Sequence, residues 1–251
     1  MKPSLQHFEI SSFARSNPLF RRLYSIVRAT LCEEMTYPFF LKFYLSAKPH
    51  FMQVTFIRSR GEDIGFFTCT YVSQQVCNKE TAICRVAIGV LPQFHGGIMP
   101  FGTLCRRIIS YKSRHPLRRL YMVAYLANPL VYATIAKYTS EYWPRKDKPA
   151  GERICRIKED ILQSGNLKKN ETSPFVLHIH FEVHFTEALT QRILNSRNPD
   201  VQYYLRLNPD FMKQKGVMTI VPVRWTNILA NILKAMLLRP FKKLIQPRPG
   251  S

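Results

Sequence analysis

The chain has 251 residues of ordinary globular composition, 46% hydrophobic and 21% charged, yet it carries 37 Lys and Arg against 16 Asp and Glu, a formal net charge of +21. The length fits one large domain with appendages, and the composition excludes a disordered chain. The charge favours an anionic partner, whether nucleic acid, an acidic membrane surface or a polyanionic cofactor, and says nothing about fold. No run of about 18 uncharged apolar residues occurs, so no spanning helix is expected. Residues 1–7 lack an apolar h-region, so no signal peptide is expected. The six cysteines, Cys32, Cys69, Cys77, Cys84, Cys105 and Cys155, form no C-x-x-C pair, which excludes zinc-ribbon and thioredoxin motifs. Free thiols in a reducing cytoplasm are the expectation.

In chain order, Asn17-Pro18 supplies an N-cap and first-turn proline, and Leu19, Leu23, Ile26, Val27 and Leu31 recur at helical spacing. The apolar run 39–45 after Pro38 is compatible with a short helix or a strand. From residue 51 the period changes. Phe51 to Arg58 and Ile64 to Val72 read as a hairpin around the turn 59–63, and Thr81 to Leu91 as a third strand ended by Pro92. A glycine-bearing loop, Gln93 to Gly102, leads into a helix from about Pro100 to Tyr111. Leu120 to Leu126 is a fourth strand, and Asn128-Pro129 opens another capped helix containing Tyr132, Ile135 and Tyr138.

Residues 145–174 read as a connector with one helical stretch around Ile154 to Leu162. Phe175 to Phe185 alternates as a strand, Glu187 to about Asn195 is a polar helix, and Val217 to Val223 is a final strand. The tail from Trp225 to Ile245 is a basic amphipathic helix interrupted by Pro240. This order indicates an α+β fold with a single mixed, mainly antiparallel sheet flanked by helices. The expected division is a helical region at 1–50, the α+β core at 51–225 and the basic helix and tail at 226–251.

The segment Val86 to Arg107 carries the most chemical information. A strand that runs into a glycine-bearing turn and a helix is a generic anion cradle, because unpaired N–H groups of the first helical turn and the helix dipole point at the ligand. A plain turn that uses glycine for its backbone angles is the alternative.

Residues 51–144 resemble the GCN5-related N-acetyltransferase superfamily, as a divergent bacterial member. The hairpin ending in Asp63-Ile64-Gly65-Phe66 resembles the family's second and third strands. Val90-Leu91-Pro92-Gln93-Phe94-His95-Gly96 resembles its V-x-P-x-x-x-G entry to the pyrophosphate loop, and Gln93 and Gly96 match the first two positions of its Q/R-x-x-G-x-G/A motif. Ile98 departs from the third position, and Pro100 and Gly102 replace the usual run into the helix. Asn128 matches the family's strand-end Asn. The Tyr that usually follows seven positions later falls on Ile135, flanked by Tyr132 and Tyr138. Tyr142-Trp143-Pro144, Asn198-Pro199 and Asn208-Pro209 further resemble a group of acyltransferase-like bacterial proteins.

The resemblance implies an acyl-CoA N-acyltransferase-like fold and an acyl group moved from a CoA thioester to an amine by direct attack. Acetyl-CoA or a longer acyl-CoA is the implied co-substrate, with no metal. Val90, Gln93, Gly96, Gly97, Gly102 and Asn128 would bind it. Tyr138 would return a proton to the departing thiolate, with His95 or Glu141 as general base and Glu62 as a further nearby carboxylate.

Three other features compete. His178, His180, Glu182 and His184 share one strand face, with alternate residues about 7 Å apart; an H-x-H pair can chelate zinc, though a polar solvated face explains the pattern as well. The tail stripe Ile228, Leu229, Ile232, Leu233, Met236 and Leu237 suits peripheral docking on an anionic membrane surface, or packing on its own domain. Small basic clusters such as Arg106-Arg107 and Arg118-Arg119 accompany no nucleic-acid motif, so a dedicated nucleic-acid role is not expected. The alternative to a transferase is a non-catalytic basic protein that binds nucleic acid or anionic lipid.

Overall fold

The computed structural model describes residues 3–94, 101–163, 174–179 and 185–245, the last nine of these by backbone only. Among them runs one seven-stranded sheet: β1 (Ser4–Ile10), β2 (Phe51–Ser59), β3 (Glu62–Val76), β4 (Lys79–Val90), β5 (Arg119–Leu126), β6 (Val176–His178) and β7 (Lys215–Pro222). Their spatial order is β1-β2-β3-β4-β5-β7-β6. Every neighbouring pair is antiparallel except β4 with β5. The single mixed, mainly antiparallel sheet read from the sequence is therefore the observed architecture.

The helices are α1 (Pro18–Thr30), α2 (Tyr37–Leu45), α3 (Phe101–Arg114), α4 (Pro129–Tyr138), α5 (Glu152–Gln163), α6 (Glu187–Leu194), α7 (Pro199–Leu207) and α8 (Trp225–Ile245). The Asn-Pro signals act through capping. Asn17, Asn128 and Asn198 each accept from the backbone N–H two residues on, and the proline that follows each occupies a first-turn position with no N–H to satisfy. Thr36 does the same for α2 through the N–H of Phe39, which settles 39–45 as helix.

Period-two alternation divides the core. In β3, Phe66, Thr68, Thr70 and Val72 turn to one face and Phe67, Cys69 and Tyr71 to the other. The first face meets α1 and α2: Phe20, Leu23, Val27 and Phe40 are buried against Met52, Val54, Phe56 and Phe66. On the second face Tyr71 stacks on Tyr111 of α3, with ring centroids 3.7 Å apart and planes at 15°.

Three points differ from the sequence reading. Residues 4–10 form a strand paired with β2, so the region 1–50 contributes to the sheet and is not helical throughout. Of the expected strand 175–185, Val176–His178 pair with β7, the flanking Phe175 and Ile179 add backbone hydrogen bonds to Met218 and Gln214, and 180–184 lie outside the described residues. Pro199–Leu207 is a helix that the periodicity did not disclose, and α8 runs through Pro240 without a break.

Candidate functional site

The site begins where β4 and β5 part. Their parallel pairing runs from Thr81 opposite Arg119 to Val86 opposite Ala124 and stops. Both strands continue: β4 reaches Val90 against β3, and β5 reaches Leu126 against β7. The last four residues of β4 thus stay in the sheet on one edge while separating from β5 on the other. Thr81 to Cys84 are buried, Arg85 to Ile88 on either side of the parting are half-buried, and Gly89 is buried again.

A cavity of about 250 Å³ lies on the α2 face beside the parting. Its floor includes Thr68, Thr70, Arg85, Ala87 and Tyr125, and α2 forms its roof. Thr70 is 4% exposed and its Oγ1 has no hydrogen-bond partner among the described residues. A buried hydroxyl in that state retains an unmet demand for a polar partner. Burial pushes the Tyr125 phenol above its ordinary pKa, and the nearby Arg85 guanidinium works against that rise. The cavity can therefore take a ligand with a polar group at Thr70, between aromatic walls from Phe39 and Phe43 and the cationic side chains of Lys42 and Arg85.

A larger cavity, about 580 Å³, lies on the opposite face between the first turns of α3, the end of α4 and α8. Phe101, Gly102, Cys105 and Tyr138 line one side of it. Tyr138 is half-buried, and its ring lies 5.8 Å from that of Phe101. Gly102 sits in the first turn of α3, and a Cβ there would meet nothing within 4 Å. Burial pushes the Cys105 thiol up to about 11, so it stays protonated at neutral pH and is a poor nucleophile.

The residues singled out from sequence distribute around these features. Val90 ends β4, and Gln93 is exposed in the single 3-10 turn Pro92–Phe94 that follows. His95, Gly96 and Gly97 lie outside the described residues. Asn128 uses its side-chain oxygen to cap α4, accepting from Leu130 N at 2.9 Å. Glu141 Oε2 accepts from Asn227 Nδ2 at 2.6 Å and lies 3.8 Å from Arg224 Nη1. Glu62 is exposed at the start of β3. Tyr132 is fully buried and donates to the carbonyl of Pro144 at 2.8 Å, which ties it to packing. His178 is exposed on β6; His180, Glu182 and His184 lie outside the described residues. Among the described residues no group of three or more His, Cys, Asp or Glu side chains is placed to hold a metal ion.

Sequence reading missed the floor of the smaller cavity. Its signal was present in Thr68 and Thr70, two polar residues at strand period inside an apolar run, and in Arg85 within β4.

No family model and no curated protein matches the chain. Solved structures that overlap it include a probable N-acyltransferase from Enterococcus faecalis, at 10% identity over 55% of this chain with a TM-score of 0.39. Eis1 from Mycobacterium abscessus overlaps at 11% identity over 55%, with a TM-score of 0.36. An aminoglycoside N-acetyltransferase, AAC(6')-Iy in complex with CoA, overlaps at 12% identity over 61% of this chain and 97% of its own, with a TM-score of 0.38. The chain spans about a third of the length of the first two, 32% of each. Likeness at this level assigns neither a family nor an activity to this chain. The order β1-β2-β3-β4-β5-β7-β6, with one parallel pair that parts beyond Val86, is an α+β fold on a single mixed, mainly antiparallel sheet flanked by helices.

Proposed function

We propose that the protein is an acyl-CoA-dependent acyltransferase that moves an acyl group from a CoA thioester to an amine acceptor. The observation that carries this reading is the parting of β4 from β5 beyond Val86 and Ala124, with a cavity on each face of the sheet. The CoA arm lies on the α3 side, with its pyrophosphate at the loop 93–102 and the α3 N-terminus, where backbone N–H groups and the helix dipole favour an anion. The acceptor enters on the α2 side, where Thr70 offers a hydroxyl without a partner.

The amine nitrogen attacks the thioester carbonyl carbon, the C–S bond breaks, and the sulfur leaves as thiolate. His95 takes the proton lost by the amine, since the Glu141 carboxylate is already engaged by Asn227. Tyr138 supplies a proton to the thiolate. The raised Cys105 thiol supports direct attack over an acyl-cysteine intermediate.

Calorimetric titration with acetyl-CoA and a long-chain acyl-CoA tests the reading, with ADP and polyphosphate as controls at physiological salt. The controls matter because a chain of charge +21 attracts any polyanion. Saturable binding of an acyl-CoA well above both controls is expected. Binding no tighter than polyphosphate would overturn the proposal and leave a general polyanion-binding protein.

A further inference from the structure

Helix α8 is amphipathic in the inverted sense. Its polar side chains face the protein. Asn227 Nδ2 donates to Glu141 Oε2 and to the carbonyl of Pro222 at 3.0 Å, and Asn231 Oδ1 accepts from Ser140 N at 2.7 Å. Lys234 Nζ donates to the carbonyls of Ala136 and Thr139, at 3.1 and 3.0 Å. Those carbonyls belong to the C-terminal end of α4, where a cation is favoured by both unsatisfied acceptors and the helix dipole.

Ile228 is buried in the core and Ile232 borders the larger cavity, yet five large apolar side chains of α8 are exposed. Trp225 is 41% exposed, Leu229 61%, Ile232 42%, Leu233 61% and Met236 56%. At 100° per residue these five positions fall within a sector of about 100°, the width of an ordinary core-facing stripe. Among the described residues nothing covers it. A surface helix that packs only on its own domain would place this stripe inward, so burial of the polar side indicates that α8 is built to bury the other side elsewhere.

Charge decides the occupant. Lys213 and Lys215 pair with Asp210, Arg224 lies 3.8 Å from Glu141 and Lys234 is turned to α4, but from Trp225 onward the chain also holds Arg239, Lys242, Lys243 and Arg248 and no Asp or Glu. A second copy brought against this face would set two such sets of charge against each other. A Trp at one end of an apolar stripe, in an exclusively basic segment, fits a lipid surface with anionic headgroups. No described helix is long and apolar enough to cross a membrane, which leaves the interfacial plane for α8.

We infer that the outward face of α8 docks the protein on an anionic bilayer surface, with the polar face held to the end of α4. The inference is independent of the transferase reading, because it needs no acyl-CoA.

Co-sedimentation of the full chain with vesicles tests it, one set of phosphatidylcholine alone and one of equal parts phosphatidylcholine and phosphatidylserine. Preferential binding to the anionic set is expected. The Leu229→Gln and Leu233→Gln double variant keeps every charge and alters two exposed side chains, so its fold and thermal midpoint should match the parent. Its partition should fall at least about tenfold, since burying one leucine corresponds to about a tenfold change in an equilibrium constant or more. Unchanged partition in that variant would overturn the apolar contact, and a lack of preference for the anionic vesicles would overturn the choice of lipid. A concentration-dependent dimer by light scattering that the double variant abolishes, without vesicle binding by the parent, would also overturn it by assigning the face to a second copy.

Discussion

Gly89 near the end of β4 lies directly beneath Thr30 at the end of α1: a Cβ at position 89 would stand 2.3 Å from Thr30 Oγ1. Phe66 Cε1 would be 2.6 Å away on the same side. The contact presses α1 onto the sheet next to the stretch where β4 leaves β5. Gly89→Ala is therefore expected to destabilise the protein by about 1–3 kcal/mol, the usual range for overpacking a closed site. Thermal unfolding measures it, and adding Thr30→Ala should recover part of the loss. A midpoint unchanged by Gly89→Ala would show that α1 yields freely.

Two glycines flank the proposed pyrophosphate site and should behave differently. Gly102→Ala adds a Cβ into open space, so stability should change little. Gly96→Leu places a bulky side chain at the loop position where a phosphate would approach the backbone, and should weaken acyl-CoA binding about tenfold or more without unfolding the chain. Titration of both variants checks this. Unchanged affinity in Gly96→Leu would count against the assigned loop.

Thr70→Val separates the two cavities. Valine keeps the shape and removes a buried hydroxyl that has no partner, so stability should stay within about 1 kcal/mol of the parent or rise. With a polar acceptor held at Thr70, the KM for acceptor should rise while acyl-CoA affinity is unchanged. A parallel fall in acyl-CoA binding would place the donor on the α2 face instead.

His50 sets a dependence of stability on pH. Its Nε2 lies 2.8 Å from the Tyr111 hydroxyl, and its pKa is lowered chiefly by burial and then by Arg118, with His115 adding to the effect and Glu80 opposing it. A depressed folded-state pKa means that the unfolded chain binds the proton more readily. The contribution is thus present above the ordinary value of about 6.5 and is lost as pH falls through the lower folded value. Thermal midpoints across this window should decline less steeply in His50→Gln than in the parent, and equal slopes would remove His50 as the cause.

Much of the chain was legible because its signals are local. Asn-Pro pairs cap and start α1, α4 and α7 through side-chain oxygens that reach two residues ahead, a geometry that needs no tertiary contact. The first two were read as helix starts; the third, Asn198-Pro199, was read as a family likeness while the helix behind it went unnoticed. Strand β1 escaped because Ser4–Ile10 mixes polar and apolar residues and becomes a strand through its partner β2, 41 residues beyond its end. The short helix α2 was ambiguous as an apolar run until the Thr36 cap and its packing on the sheet decided it.

The candidate site divides the same way. Gln93, Gly96 and Asn128 stood out through fixed spacing along the chain and Tyr138 only as a neighbour of the expected position, and no spacing could say that Asn128 spends its oxygen on capping or that Glu141 holds Asn227 across 86 residues. The sequence by itself determined the mixed sheet, the capped helices, the glycine loop and the concentration of positive charge, because periodicity, capping and composition act over a few residues. Only the tertiary structure decided which faces these elements turn. Thr70 became a cavity floor, and α8 came to lie with its polar side inward, because burial depends on partners that the chain brings together from far apart.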